Sequence, residues 1–250
     1  MKYLLLILAL LSSPSWADSH ALFDYSNNEY LSVQDADTQR NIASITKLFT
    51  GVTILHSDVN MDERITVNCT SRGHVIRGTE MSRRDLFTAM IVSSDNCAAE
   101  TLANSHPGGY MRFIRDRNEM LSTYNLKNTQ LFDSTGLSVF NVSTINDLIA
   151  FAPLVYQNDF LQHVSSLPKA TVYAYRKGKA IPIQLYNTNP AFGSHNNIVV
   201  SKTGYTSRAG RCVLMMVQKM ENFYAVIVLG KPSSGSRSKE VEKLMALQRL

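Results

Sequence analysis

Three short stretches of the chain carry residue types that can act together on an acyl group. Ser44 and Lys47 are three apart in "ASITKLFTG". On a helix that spacing puts both side chains on one face, one turn apart. A serine hydroxyl is a weak nucleophile until a base takes its proton. A lysine serves as that base only when burial or nearby positive charge lowers its pKa, and the positive end of a helix adds a favourable field beside Ser44. The pair alone carries little, since S-x-x-K arises by chance on many helices. Ser94-Asp95-Asn96 falls where one helical pattern stops and another starts, a place where serine or asparagine is ordinarily a cap. In a chemical reading Ser94 relays a proton between Lys47 and a leaving nitrogen, and Asn96 bonds a substrate amide. Lys202-Thr203-Gly204 ends the strand-like run "NIVVS". Its bland reading is a solvated strand end with a turn glycine. Its chemical reading makes Lys202 the cation for a substrate carboxylate and the source of a positive field on Ser94. Thr203 would bond the same carboxylate, and Gly204 would let a substrate backbone lie along the strand edge.

Such residues need a frame, and the surrounding patterns predict one. "ALFDYS" and "EYLSV" flank Asn27-Asn28, a turn pair that tolerates left-handed backbone, so a hairpin is expected. Ile45, Leu48, Phe49, Val52 and Leu55 recur at the spacing of one helix face. Ser82-Arg83-Arg84-Asp85 reads as a capping box before "LFTAMIV". That helix stops at Ser93-Ser94-Asp95-Asn96, "CAAETLAN" starts the next, and Pro107-Gly108-Gly109 precedes "YMRFIRDRNEML". Ser143 or Thr144 caps "INDLIAFAPLVY". From about residue 170, "TVYAY", "AIPIQLY", "NIVVSKTG", "RCVLMMVQ" and "FYAVIVLG" read as strands, and "SKEVEKLMALQ" closes as a helix. Strands at both ends with helices between predict one antiparallel sheet, built from both ends of the chain and covered by helices.

The bulk properties narrow the classes. The opening "MKYLLLILALLSSPSWA" has Lys2, a short apolar core and the small-x-small triplet Ser15-Trp16-Ala17. It reads as a signal peptide over residues 1–17, its apolar run being about half the ~20 residues that span a bilayer. One catalytic domain is expected over 18–250. Loss of Lys2 leaves 24 basic against 20 acidic residues, a net of +4. No aromatic-interleaved basic run points to nucleic acid. The three cysteines are not spaced as a zinc site, and the six histidines form no HExxH pair, so neither a metal nor a cofactor is expected. Cys212 lies in an apolar run and reads as a buried thiol. Whether Cys69 and Cys97 pair is left open by the sequence.

S-x-x-K, S-D-N and K-T-G in this order form the signature of class A β-lactamases and penicillin-binding proteins, and all three are present in the right local contexts. The chain resembles the low-molecular-mass penicillin-binding proteins, the serine-type D-alanyl-D-alanine carboxypeptidases and endopeptidases. "IASITKLFTG", "SSDNCAAETLA", "HPGGYMRFI", "STGLSVFNVST" and "SKTGYTSRAGRC" look like segments of the periplasmic endopeptidase subgroup, across about residues 20 to 230. The resemblance implies the α/β penicillin-recognising fold, with a five-stranded antiparallel sheet, flanking helices and a helical lobe. It implies that Ser44 is acylated by a D-Ala carbonyl, Lys47 takes the proton, Ser94 protonates the leaving amine and Lys202 binds the terminal carboxylate. The backbone N–H groups of Ser44 and Tyr205 would form the oxyanion hole, where one donor is worth about 3 kcal/mol. The implied partners are peptidoglycan stem peptides, with β-lactams as slowly released inhibitors, in the periplasm during cell-wall remodelling. After "FYAVIVLG" about twenty residues remain, so neither a C-terminal β-domain nor a membrane anchor is expected once the signal is cleaved.

Two rivals share the fold. A class A β-lactamase takes its deacylating glutamate from the interval between S-D-N and K-T-G, and here no glutamate occurs from Met120 to Ser201. A silent wall-binding module would have no need of Ser44, Lys47 and Lys202 together.

Overall fold

The computed structural model describes residues 18–250, so the expected signal peptide lies outside the described residues. The chain enters as the predicted hairpin, β1 (Ser19–Asp24) and β2 (Glu29–Gln34), with Asn28 left-handed at the turn. It leaves through β9 (Ile198–Thr206), β10 (Gly210–Lys219) and β11 (Asn222–Lys231), then α7 (Ser234–Ala246). These five strands form one antiparallel sheet in the order β2-β1-β11-β10-β9. The central strands are apolar runs because both their faces are covered. Leu214, Met216, Ala225 and Ile227 face the large helical core, while Val213, Met215, Val226 and Val228 face Val241, Leu244 and Met245 of α7.

Between the two halves of the sheet run β3 (Arg40–Asn41), α1 (Thr46–Leu55), β4 (Arg64–Thr66), β5 (Glu80–Ser82), α2 (Arg83–Val92), α3 (Asn96–Asn104), α4 (Gly109–Thr123), β6 (Val142–Ser143), α5 (Ile145–Tyr156) and α6 (Asp159–Ser166). Then follow β7 (Lys169–Arg176) and β8 (Lys179–Tyr186). Thr144, rather than Ser143, caps α5. Ser82 caps α2 by accepting the Asp85 N–H, which is the N-cap half of the expected box.

Two expectations change. The strands "TVYAY" and "AIPIQLY" do not join the main sheet. As β7 and β8 they pair with β5 and β4 in a second sheet of order β4-β5-β7-β8. Their alternation is the physical reason: Val172, Ala174 and Leu185 are buried while their neighbours face water, which suits a one-faced sheet rather than a doubly covered one. Pro182, which has no N–H to give, sits in β8 at that sheet's edge. Helix α1 is not amphipathic in place. Every residue from Thr46 to Ile54 is buried, because α2, α3, α4 and α5 pack around the helix. Phe49 stacks on Phe151 of α5 at 3.7 Å, and the hydroxyls of Thr50 and Thr53 bond the carbonyls of Ser134 and Phe49.

Cys69 and Cys97 form a disulfide, with Cα atoms 5.2 Å apart, and Cys212 is a buried free thiol. The disulfide ties the segment after β4 to the first turn of α3, next to Ser94-Asp95-Asn96. Closing a loop of this span is typically worth about 3 kcal/mol. Cys69→Ser is therefore expected to lower Tm by about 10 °C. An unchanged melting curve under non-reducing conditions would show that the disulfide adds nothing to stability.

Candidate active site

Ser44 stands in a 3-10 turn, Ala43–Ile45, that leads into α1. Ala43 has φ +46°, a left-handed conformation that costs a side-chain-bearing residue about 1 kcal/mol. Two glycines hold the turn in place. A β-carbon on Gly204 of β9 would come within 2.9 Å of both the Ser44 nitrogen and the Ile42 carbonyl oxygen. One on Gly136, at φ +86°, would overlap the Ala43 carbonyl and lie 2.8 Å from the Ser44 nitrogen. The backbone at Ser44 is thus clasped between the K-T-G strand and the 131–138 loop. Ser94, between α2 and α3, is also left-handed at φ +59°.

Lys47 is fully buried. Its Nζ donates to Ser44 Oγ at 3.0 Å, to Asn96 Oδ1 at 2.6 Å and to the Thr135 carbonyl oxygen. Burial pushes its pKa down to about 7, while the carboxylates of Asp133 and Asp95 oppose the drop. Near neutral pH a large fraction of Lys47 is therefore the free amine, able to accept the Ser44 proton. The hydrogen bonds of Lys47 go to the first and second motifs and to the 131–138 loop, and not to Ser94.

That loop was not assigned a role from the sequence. Asp133 Oδ1 accepts the N–H groups of Thr135 and Gly136 and the Thr135 hydroxyl, and Oδ2 accepts the Ser138 N–H. Burial raises the Asp133 pKa, but these bonds outweigh it and hold the carboxyl below its ordinary value. Arg117 of α4, wholly buried, donates to the carbonyl oxygens of Leu131 and Asp133. Burial lowers its pKa to about 10. One half-buried carboxylate and one buried guanidinium thus shape the loop that offers Thr135 to Lys47 and Gly136 to Ala43. The signal in the sequence was "DSTG", an aspartate positioned to bond the N–H groups just after it.

Asp95 has a structural part within its motif. It caps α3 by accepting the Ala98 N–H at 2.8 Å and also accepts the N–H groups of His74 and Val75. Lys202 of β9 is fully buried, opposite Leu214 of β10, and donates to the Thr203 carbonyl at 3.0 Å. Burial, with the charges of Lys47 and Arg237, pushes its pKa well below the ordinary lysine value. Ser44, Ser94, Thr203, Gly204 and Tyr205 line one cleft of about 220 Å³, together with Arg211 and Arg237. Both arginines escaped the sequence reading. Arg237 sits one turn into α7 and just ahead of "SKEVEKLMALQ", the stretch expected as the closing helix. The cleft therefore combines a hydroxyl beside a buried amine, a second hydroxyl on a left-handed turn, and guanidinium groups for an anion. Asp18, His20 and Glu240 are grouped as a metal site would need, but the Lys231 ammonium already pairs with both carboxylates.

A five-stranded sheet closed by both chain ends, with a hydroxyl–amine pair at the mouth of a helical lobe, defines the penicillin-recognising serine peptidases as a class. The family model described as D-alanyl-D-alanine carboxypeptidase matches residues 12–233, and the chain belongs to that family. It is 31% identical to a D-alanyl-D-alanine endopeptidase of Escherichia coli, over 87% of this chain and 73% of that one. It is 36% identical to a D-alanyl-D-alanine endopeptidase of Pseudomonas aeruginosa, over 77% of this chain and 64% of that one. Among solved structures, a mutant Streptomyces DD-transpeptidase superposes with TM-score 0.84 at 25% identity, over 94% of this chain and 98% of that one. A penicillin-binding protein of Listeria monocytogenes in its ampicillin-bound form superposes with TM-score 0.82 at 28% identity, over 93% and 96%. Among the described residues, no helix is long and apolar enough to cross a membrane.

Proposed function

We propose that residues 18–250 form one catalytic domain, a periplasmic serine-type D-alanyl-D-alanine carboxypeptidase/endopeptidase acting on peptidoglycan stem peptides or their D-Ala–diamino acid cross-links. The observation that carries this reading is the buried Lys47 amine 3.0 Å from Ser44 Oγ. Lys47 takes the Ser44 proton as the oxygen attacks the D-Ala carbonyl carbon. The resulting oxyanion is held by the N–H groups of Ser44 and Tyr205. Collapse breaks the C–N bond, and the leaving amine takes a proton through Ser94. Water then attacks the acyl ester, releasing the shortened peptide acid and restoring Ser44. Thr203 and Arg237 hold the carboxylate beside the scissile bond, since Arg237 opens into the cleft. Lys202, next to Thr203 on β9, is the other candidate cation for that carboxylate. Asn96 is shared between Lys47 and the substrate amide. The names of the relatives support cross-link cleavage, and cell-wall remodelling is the setting that fits it. The N-terminal leader supports export.

Labelled penicillin tests the nucleophile. Wild-type protein is expected to take up label covalently and release it slowly, whereas folded Ser44→Ala takes up none. Equal labelling of both would reject Ser44, and rapid hydrolysis of the drug would favour a β-lactamase. Mass analysis of products from cross-linked and uncross-linked muropeptides separates endopeptidase from carboxypeptidase action.

A further inference from the structure

The cleft has more positive charge than one carboxylate needs. Arg237 is 5% exposed, and Arg211 has its Nε buried without a hydrogen-bond partner. The ion-paired arginines among the described residues are Arg40, Arg83, Arg84 and Arg112, and neither cleft arginine is one of them. No carboxylate lines the cleft. Ser234, the first residue of the 13-residue helix α7, also lines it and brings the positive end of that helix to the wall. Two unpaired guanidinium groups beside a helix N-terminus are costly to hold together empty, and the Arg211 charge adds to burial in depressing the Arg237 pKa. Such an arrangement is built for more than one negative group.

Arg211 is not a loose surface side chain. It faces Tyr205 across the β9–β10 ladder, and its guanidinium lies 3.6 Å from the centre of the Tyr205 ring. Stacking of this kind holds the planar fork in one orientation and leaves its N–H edge free for a carboxylate. Tyr205 directly follows the K-T-G triplet, so the stack sets Arg211 beside the reacting centre. Arg237 with Thr203 accounts for the carboxylate next to the scissile nitrogen. A free D-Ala leaving group has that carboxylate and no other. A dicarboxylic diamino acid that ends its stem carries a second, its other carboxyl then being free rather than joined to a following residue.

We propose that Arg211, stacked on Tyr205, is a specificity-determining residue that binds a second carboxylate on the leaving amino acid and so favours cross-linked over uncross-linked substrates. The inference rests on the Ser44 reading above. Charge-assisted, forked recognition is the kind of contact whose loss discriminates between substrates rather than slowing all of them.

The test uses two acyl-D-Ala peptides that differ only in the leaving residue, one with a single carboxylate and one with two. For the wild type, kcat/KM is expected to favour the dicarboxylate. Arg211→Gln is expected to lower that preference about tenfold, chiefly through KM, and Arg211→Lys to restore part of it. A preference unchanged in Arg211→Gln overturns the proposal, as does an equal loss on both substrates or a loss confined to a carboxylate placed on the acyl side. Penicillin labelling of the wild type is run in parallel. An unlabelled wild type means that the Ser44 reading has failed, whereas a labelled wild type with an unmoved preference means that the Arg211 inference alone has failed.

Discussion

Replacing Lys47 with alanine is expected to slow covalent labelling of Ser44 by penicillin about 10³-fold, the scale of a lost general base. The side chain is fully buried and its amine is 3.0 Å from the nucleophile. A circular dichroism spectrum like that of the wild type would separate lost chemistry from lost fold. The pH profile tests the same role with the side chain in place. Burial depresses the Lys47 pKa to about 7. Below that value the amine holds its extra proton and cannot accept the one on Ser44. The labelling rate should therefore rise with pH through about 7 and level off above it. Asp133 and Asp95 face Lys47 and oppose the depression. Asp133→Asn should thus move the rise to lower pH. A rate that stays flat from about pH 5 to about pH 9 would remove Lys47 from the role of base. The same shift acts on stability. Between about 7 and the ordinary lysine value the unfolded chain binds the proton and the folded chain does not, so this group makes the fold more stable as pH rises.

Gly136→Ala should be nearly as damaging, although Gly136 takes no part in the chemistry. Its φ of +86° makes any side chain strained, and the new β-carbon would overlap the Ala43 carbonyl and press on the Ser44 nitrogen. The turn that carries the nucleophile must then move, and a displacement near 1 Å costs about 100-fold in rate. Gly178→Ala is the control. That glycine is at φ +77° in the β7–β8 turn, with nothing within 4 Å of its β-carbon position. Both variants should lose about 1–2 kcal/mol of stability from the left-handed backbone, but only Gly136→Ala should lose labelling. Equal labelling rates in the two variants would mean that the clasp on Ser44 has no consequence for its reactivity.

Much of the framework was legible because it is local. The hairpin at Asn27-Asn28, the break between α2 and α3, the Thr144 cap and the strands β9 to β11 each follow from a few neighbouring residues. Helix α6 went unread, since "DFLQHVSS" is short and closely follows α5. Helix α1 misled in a specific way. Its spacing marked one apolar face, but Thr46, Thr50 and Thr53 are buried too; a distant loop supplies the Ser134 carbonyl for Thr50, and the helix's own Phe49 carbonyl serves Thr53. The second sheet was hidden because alternation fixes which face of a strand is buried, not which strands it meets.

The sequence alone determined the chemistry-bearing types: a serine and a lysine one helical turn apart, an S-D-N triplet at a helix junction, and K-T-G on a strand rich in apolar residues. These are short-range patterns of spacing and capping, and the chain encodes them where they stand. The tertiary structure decided what surrounds them. It buried Lys47 and so lowered its pKa, clasped the Ser44 turn between Gly136 and Gly204, buried Lys202 within β9, and opened Arg211 and Arg237 into the cleft. Burial, close approach and unpaired charge are properties of packing between segments distant in sequence, and no local pattern records them.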